Sequence, residues 1–342
     1  MTVSKNNQFY WPVVGHQPQI GYLQKCLSAG HLSHAYLFHG PAAVGKRLIA
    51  KLMAMSLYCQ SAGAKPCQKC AACHQIKEGS HPDVAFVNRA DDKKNITIEQ
   101  IRDIRFKLKL TALTNGVKIV IINEAETMSD NAANALLKTL EEPAGRTLII
   151  LIAERADLLP LTVRSRAQSL RFYLLSARQM ATCLTGLIQV NNQLAPNANH
   201  QAGALALAFG RPGLALQLAA DPTLLADYQQ QREELANVLF LPVYQKMQFA
   251  QALIKKSSST NANRDQCLTI INQLEQLWRD LYLIKLDQEP LARHQFLLTK
   301  LRDYCIKLTW PRIIYALNGL KEGRAALARN AQPVLVLENC LL

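Results

Sequence analysis

Apolar positions in the first half of the chain alternate between two rhythms. Short, nearly continuous apolar runs occur at 35–39 (AYLFH), 83–87 (DVAFV), 117–122 (VKIVII) and 147–153 (TLIILIA). Runs of this length and density predict strands buried on both faces. Between them the period lengthens to that of helices. Such a pattern covers 17–29, which ends at Gly30, and 47–58. Ile98, Ile101, Ile104 and Leu108 share one helical face, and 131–142 forms a helix that Ser129 or Asp130 can cap and that Pro143 and Gly145 stop. Strand and helix in alternation predict a parallel sheet covered by helices on both sides.

Beyond Phe172 the strand pattern ends. The rest of the chain is rich in Leu, Ala and Ile at helical spacing, including 268–286 and 335–342, interrupted by polar connectors at 191–201 and 257–264. These shifts place boundaries near 172 and 220. They predict an α/β domain over 1–172, a small helical domain over 173–219 and an all-helical domain over 220–342.

A length of 342 residues, 49% hydrophobic and 19% charged, is that of a packed globular protein with a core that needs no disulfides. No apolar stretch approaches the ~18 residues that could span a bilayer, and the first residues lack a signal-peptide apolar region, so a cytoplasmic location is expected. The formal charge of +14 suits contact with a polyanion and suits solubility equally, because no basic run or aromatic-basic stripe marks a groove. Nine cysteines in a reducing compartment point away from disulfides and toward ligand chemistry.

Three constellations carry candidate chemistry. Gly40, Gly45 and Lys46 lie in a loop that leaves a strand and opens a helix, the context in which backbone amides and a helix N-terminus hold phosphates. A P-loop needs a Ser or Thr hydroxyl next, to bind Mg²⁺, and here that residue is Arg47. The matching acid at the end of the 117–122 strand is replaced by Asn123, followed by Glu124, which could still orient a water as a vestigial base. With both metal ligands gone, ATP should be hydrolysed slowly or not at all, although Lys46 could still meet a phosphate. Cys59, Cys67, Cys70 and Cys73 form a compact module whose C-x₂-C-x₂-C run supplies neighbouring thiolates to one tetrahedral ion, predicting a structural Zn²⁺ within 59–73. His74 is a substitute ligand that four cysteines make unnecessary. The third is Arg164-Ser165-Arg166, which by itself reads as solvated loop.

Taken with His34-Ala35, Ser80-His81-Pro82-Asp83, the helix AANALLKTLEEP at 132–143 and Gly210-Arg211-Pro212-Gly213, these motifs resemble the clamp-loader subunits of bacterial DNA polymerase III, of the AAA+ class. The match runs in order over roughly residues 11–216, and the segment 330–342 also resembles that family's C-terminus. The resemblance implies a P-loop type AAA+ domain with a zinc module, a helical lid at 173–219 and a collar at 220–342 that joins gamma or tau subunits and delta into a ring. That ring opens the sliding clamp and loads it on primed DNA during DNA replication, as part of the DNA-directed DNA polymerase III holoenzyme, a nucleotidyltransferase complex. The family's Ser-Arg-Cys motif implies that Arg166 is an arginine finger acting in trans, with Ala167 in place of the cysteine, and its sensor residue is replaced here by Glu154. The reading is therefore a mostly ATPase-inactive stator. Two rivals stay open on the residues alone: an active gamma/tau-type ATPase, and a zinc-containing DNA-binding protein.

Overall fold

The computed structural model describes residues 9–90, 93, 95–110, 112–113, 116–143, 145–190, 198–255 and 260–342. They fall into two compact units, one within Met1–Asn192 and Gly210–Leu214, the other within Gln193–Phe209 and Ala215–Leu342. Up to residue 190 the elements are α1 (Gln17–Ala29), β1 (Ala35–His39), α2 (Lys46–Tyr58), α3 (Ala71–Glu78), β2 (Val84–Val87), α4 (Ile98–Lys109), β3 (Val117–Ile122), α5 (Asp130–Glu141), β4 (Arg146–Ala153), α6 (Leu161–Arg164), β5 (Gln168–Arg171) and α7 (Ala177–Val190). From 198 onward they are α8 (Ala198–Ala208), α9 (Pro212–Ala220), α10 (Pro222–Val238), α11 (Val243–Lys255), α12 (Thr260–Lys285), α13 (Leu298–Lys307), α14 (Trp310–Ala328) and α15 (Pro333–Leu341).

The sheet of the first unit has the order β2-β3-β4-β1-β5, with every pairing parallel. Successive residues of each inner strand point to opposite faces, and both faces are dry. Tyr36, Phe38, Ile119, Ile121, Leu148 and Ile150 pack with Leu23, Ile49, Leu52 and Met53 from α1 and α2. Leu37, Val120, Ile122, Ile149 and Leu151 pack on the other side with Ile101, Ile104, Leu136 and Leu140 from α4 and α5. The AAA+ type α/β fold expected from the sequence is thus the one observed.

Local signals explain most element ends. Gly30 and Gly79 close α1 and α3 in the left-handed conformation, Thr97 and Gln100 form a reciprocal capping box at α4, and the Ser129 hydroxyl accepts from the Ala132 amide at 3.2 Å to start α5. Three elements differ from the sequence expectation. β5 is an edge strand of four residues with only Leu170 half-buried, so it has no apolar alternation to announce it. The arginine loop contains the short helix α6, and the cysteine segment contains α3. Of the two polar connectors, 191–197 and 257–259 lie outside the described residues, whereas 198–201 belongs to α8 and 260–264 to α12.

The second unit is all helix and packs around α12, whose Ile271, Leu274, Leu277 and Leu281 are fully buried against Leu301, Ile313, Leu320 and Leu337. Its one deeply buried acid among the described residues, Asp280, is satisfied. It accepts from the amides of Arg293 and His294, both at 2.9 Å, and pairs with His294 Nδ1 at 2.7 Å, which ties the chain before α13 to α12. Burial holds the His294 imidazole below its ordinary pKa even with that carboxylate beside it.

Gly40 ends β1 with φ +133°, and a Cβ there would stand 2.2 Å from the carbonyl oxygen of Phe172; Gly45, at φ +102°, faces open space. Both positions strain any other residue, but only the first adds a collision with backbone. Gly40→Ala should therefore destabilise the chain by about 2 to 5 kcal/mol and Gly45→Ala by about 1 to 3 kcal/mol, read by urea unfolding. The reverse order would show that the Phe172 contact is not what reserves position 40 for glycine.

Candidate nucleotide site, cysteine cluster and arginine loop

A parallel sheet delivers the C-terminal ends of its strands to one edge, and the residues of the candidate nucleotide site are gathered there. The loop after β1 folds over the start of α2, with Gly45 as its N-cap. Lys46 is almost fully buried, and its ammonium donates to the carbonyl oxygens of Gly40 and of Pro41, the latter at 2.6 Å. Burial lowers its pKa to about 8, opposed by the nearby carboxylates of Glu154 and Glu126. Arg47 is exposed. The Gly210-Arg211-Pro212-Gly213 segment belongs to this unit and buttons onto the same loop: the Gly213 amide donates to Ala43 O at 2.9 Å, and the Leu175 amide to Gly210 O at 2.8 Å. A Cβ on Gly213 would lie 3.0 Å from that Ala43 oxygen, so the close approach needs glycine. From below, His16 Nε2 contacts Val44 O at 3.2 Å and its ring meets Phe172 edge-on at 5.0 Å.

At the end of β3, Asn123 is buried and its side-chain amide donates to Asn88 Oδ1 at 2.5 Å. Two neutral amides satisfy each other where a metal site would place a carboxylate. Glu124 is turned outward by a left-handed backbone, φ 49°, and its carboxylate accepts from Arg89 Nε at 2.9 Å, which occupies the acid that could have oriented water. Sequence reasoning missed Asn88 and Arg89, which lie just after a neighbouring strand. It also missed Glu126, two residues past Glu124. Burial raises the Glu126 pKa, while one of its oxygens accepts from the Glu154 amide at 2.7 Å. The site thus gathers an acid, a buried ammonium and two amides, but not the pair of hard oxygen ligands that hold Mg²⁺.

The four cysteines do converge. Cys59 caps the C-terminus of α2, Cys67 lies in the following loop, Cys70 caps α3 and Cys73 sits in its first turn. Their sulfur atoms all lie within 4.8 Å of one another. Tetrahedral Zn–S bonds require sulfurs about 3.8 Å apart, so the set fits one ion with small adjustment. The Cys67 amide donates to the Cys59 sulfur and the Cys70 amide to the Cys67 sulfur, each at 3.3 Å, the pattern of a thiolate knuckle. Backbone amides of Lys69 and Cys70 lower the Cys67 thiol to about 6, whereas burial raises Cys73 far above its usual value. Four sulfurs this close cannot all ionise without a cation among them. Neighbouring contacts fasten the cluster to the sheet: His81 packs on Tyr58 at 4.3 Å, and Asp83 accepts from the Leu113 amide at 3.0 Å.

Arg166 follows α6 and is partly exposed. Its Nη1 donates to Thr162 O at 3.0 Å and its Nη2 pairs with Glu141 Oε1 at 2.6 Å, at the end of α5. Arg164 is half-buried like Arg166, but its Nε is buried and has no partner among the described residues. The sequence motif contains both arginines, and only the fold separates them.

A family profile described as "DNA polymerase III, delta subunit" matches residues 15–176. A DNA polymerase III subunit delta' of Pseudomonas aeruginosa is 43% identical over 135 residues, which are 39% of this chain and 41% of that protein. The subunit delta' of Bacillus subtilis is 28% identical over 94% of this chain and 93% of its own length. A DNA polymerase III gamma subunit-related protein of Thermotoga maritima, with 18% identity, superposes with a TM-score of 0.40 over 93% of this chain and 97% of that one. The profile over residues 15–176 and the Bacillus delta' relative aligned over nearly the whole length together support a clamp-loader delta' subunit of DNA polymerase III.

Proposed function

We propose that this clamp-loader subunit is a stator: it keeps the AAA+ fold and an arginine for a neighbour's ATP, but does not turn over ATP itself. The observation that carries this reading is Asn123, a buried neutral amide paired with Asn88 where a metal ligand would be needed. Supporting it, Arg47 is exposed and offers no oxygen, and Glu124 is engaged by Arg89. The partners are gamma or tau subunits and delta, and the assembly acts on the sliding clamp and primed DNA in the cytoplasm. No helix among the described residues is long and apolar enough to cross a membrane. The helices from 220 to 342 are the proposed collar for ring assembly.

An arginine acts in trans because a fixed guanidinium stabilises charge on the phosphoryl group being transferred, and this needs no metal in its own subunit. Arg166 is the residue we assign to that role, since its terminal guanidinium nitrogens make their contacts at a partly exposed position, whereas the Nε of Arg164 is buried. Cys59, Cys67, Cys70 and Cys73 would hold a structural Zn²⁺, a cross-link between α2 and α3 that leaves no open position for chemistry.

Two measurements test these assignments. The purified chain should contain one Zn²⁺ by elemental analysis, and Cys70→Ser should cost on the order of 3 kcal/mol or more of unfolding free energy. Metal-free protein, or an unchanged melting temperature in the variant, would remove the zinc assignment. Purified chain alone should show no sustained Mg²⁺-ATP turnover. In the complex reconstituted with its partners, Arg166→Ala should leave assembly and zinc content intact and lower DNA- and clamp-stimulated ATPase, by ~10³ to 10⁵ at the one site it serves. Arg164→Ala should act less on turnover. Unmodified turnover and clamp loading with Arg166→Ala would return that loop to the role of solvated surface.

A further inference from the structure

We infer that Glu141 is the positioning residue of Arg166. The inference rests on the proposed role of Arg166 in trans. The arginine's guanidinium is held at both terminal nitrogens: Nη1 donates to Thr162 O, a carbonyl of α6, and Nη2 makes an ion pair with the Glu141 carboxylate at 2.6 Å. The hydrogen bond and the ion pair come from different elements, α6 and α5, so together they restrict where the fork can reach. The Ser165 hydroxyl also donates to Thr162 O, at 3.1 Å, which holds that carbonyl in place.

Stability does not account for the pair. The Arg166 and Glu141 side chains are 36% and 47% exposed, and an ion pair so open to water contributes little to folding. Glu141 is also the last residue of α5, where the helix dipole disfavours an acid. A carboxylate kept at an electrostatically poor position, for little folding gain, and aimed at the one arginine proposed to leave the subunit, is explained by the geometry it imposes. Arginine has many rotamers, and a finger must reach a developing phosphoryl charge within a fraction of an ångström to be effective. The carboxylate restricts that freedom before the neighbour arrives, while the remaining N–H groups of the fork stay available to phosphate oxygens.

The test uses the reconstituted clamp-loader complex and defines the Arg166-dependent turnover as the difference between the unmodified complex and Arg166→Ala. Glu141→Gln should lower kcat for that share by about five- to tenfold with KM for ATP within about twofold, because the interaction matters when charge develops. Glu141→Asp, which keeps the charge, should retain more turnover than Glu141→Gln. The double variant Glu141→Gln with Arg166→Ala should be no slower than Arg166→Ala alone, which a merely structural role for Glu141 would not produce. Melting temperatures of the single variants should stay within about 2 °C of the parent. If Arg166→Ala lowers turnover but Glu141→Gln leaves it unchanged, raises it, or adds to the loss in the double variant, the positioning role is overturned and the finger stands. If Arg166→Ala itself has no effect, both fall.

Discussion

The candidate nucleotide site of the first unit depends on five residues of β1, hydrogen-bonded in parallel to β4 on one side and β5 on the other. Parallel neighbours on both edges force the chain to leave β1, β3 and β4 at the same end of the sheet. The phosphate-type loop, Asn123 and Glu154 are therefore neighbours by topology. The tightness of that exit is visible at Gly40, whose amide donates to Ala153 O at 3.2 Å while its Cα faces the Phe172 carbonyl with no room for a side chain. A loop so constrained is held by packing, whether or not it meets a nucleotide.

The degenerate site is also internally satisfied. Lys46 donates to two carbonyls of its own loop, Asn123 pairs with Asn88 and Glu124 with Arg89. Each of these contacts gives a polar group a partner within the subunit, buried for Lys46 and Asn123 and exposed for Glu124, where an active motor would reserve it for phosphate, metal or water. The substitutions at 47 and 123 are consequently not isolated defects. They belong to an arrangement in which the local polar groups answer one another.

The cysteine cluster stands apart from that edge. It joins the end of α2 to α3, and its surroundings, His81 on Tyr58 and the buried Asp83, bind the same segment to the start of β2. An ion bound there would cross-link α2 and α3, whose Met53, Tyr58, Ala72 and Ile76 share one buried core, the role of a structural ion rather than a reacting one. On the function proposed above, the protein's contribution is architectural within its own subunit and electrostatic toward the next.

The sequence alone determined the alternating strands and helices, because buried strands are written as dense apolar runs and helix ends as Ser129, Gly30 and Pro143, all local signals. It also determined the cysteine set and the absence of metal ligands at 47 and 123, since these are matters of residue identity and spacing. Tertiary structure alone decided the rest. The edge strand β5 has no apolar pattern to read; Asn88, Arg89 and Glu126 reach the site from separate segments; and of Arg164 and Arg166, two residues apart, one has a buried Nε without a partner among the described residues and the other pairs with Glu141. Glu141 and Arg166 are twenty-five positions apart and meet only because α5 packs on α6. Periodicity reports which face a residue takes on its own element, whereas the partners of a charged side chain are set by how elements from distant parts of the chain are packed, which no local pattern encodes.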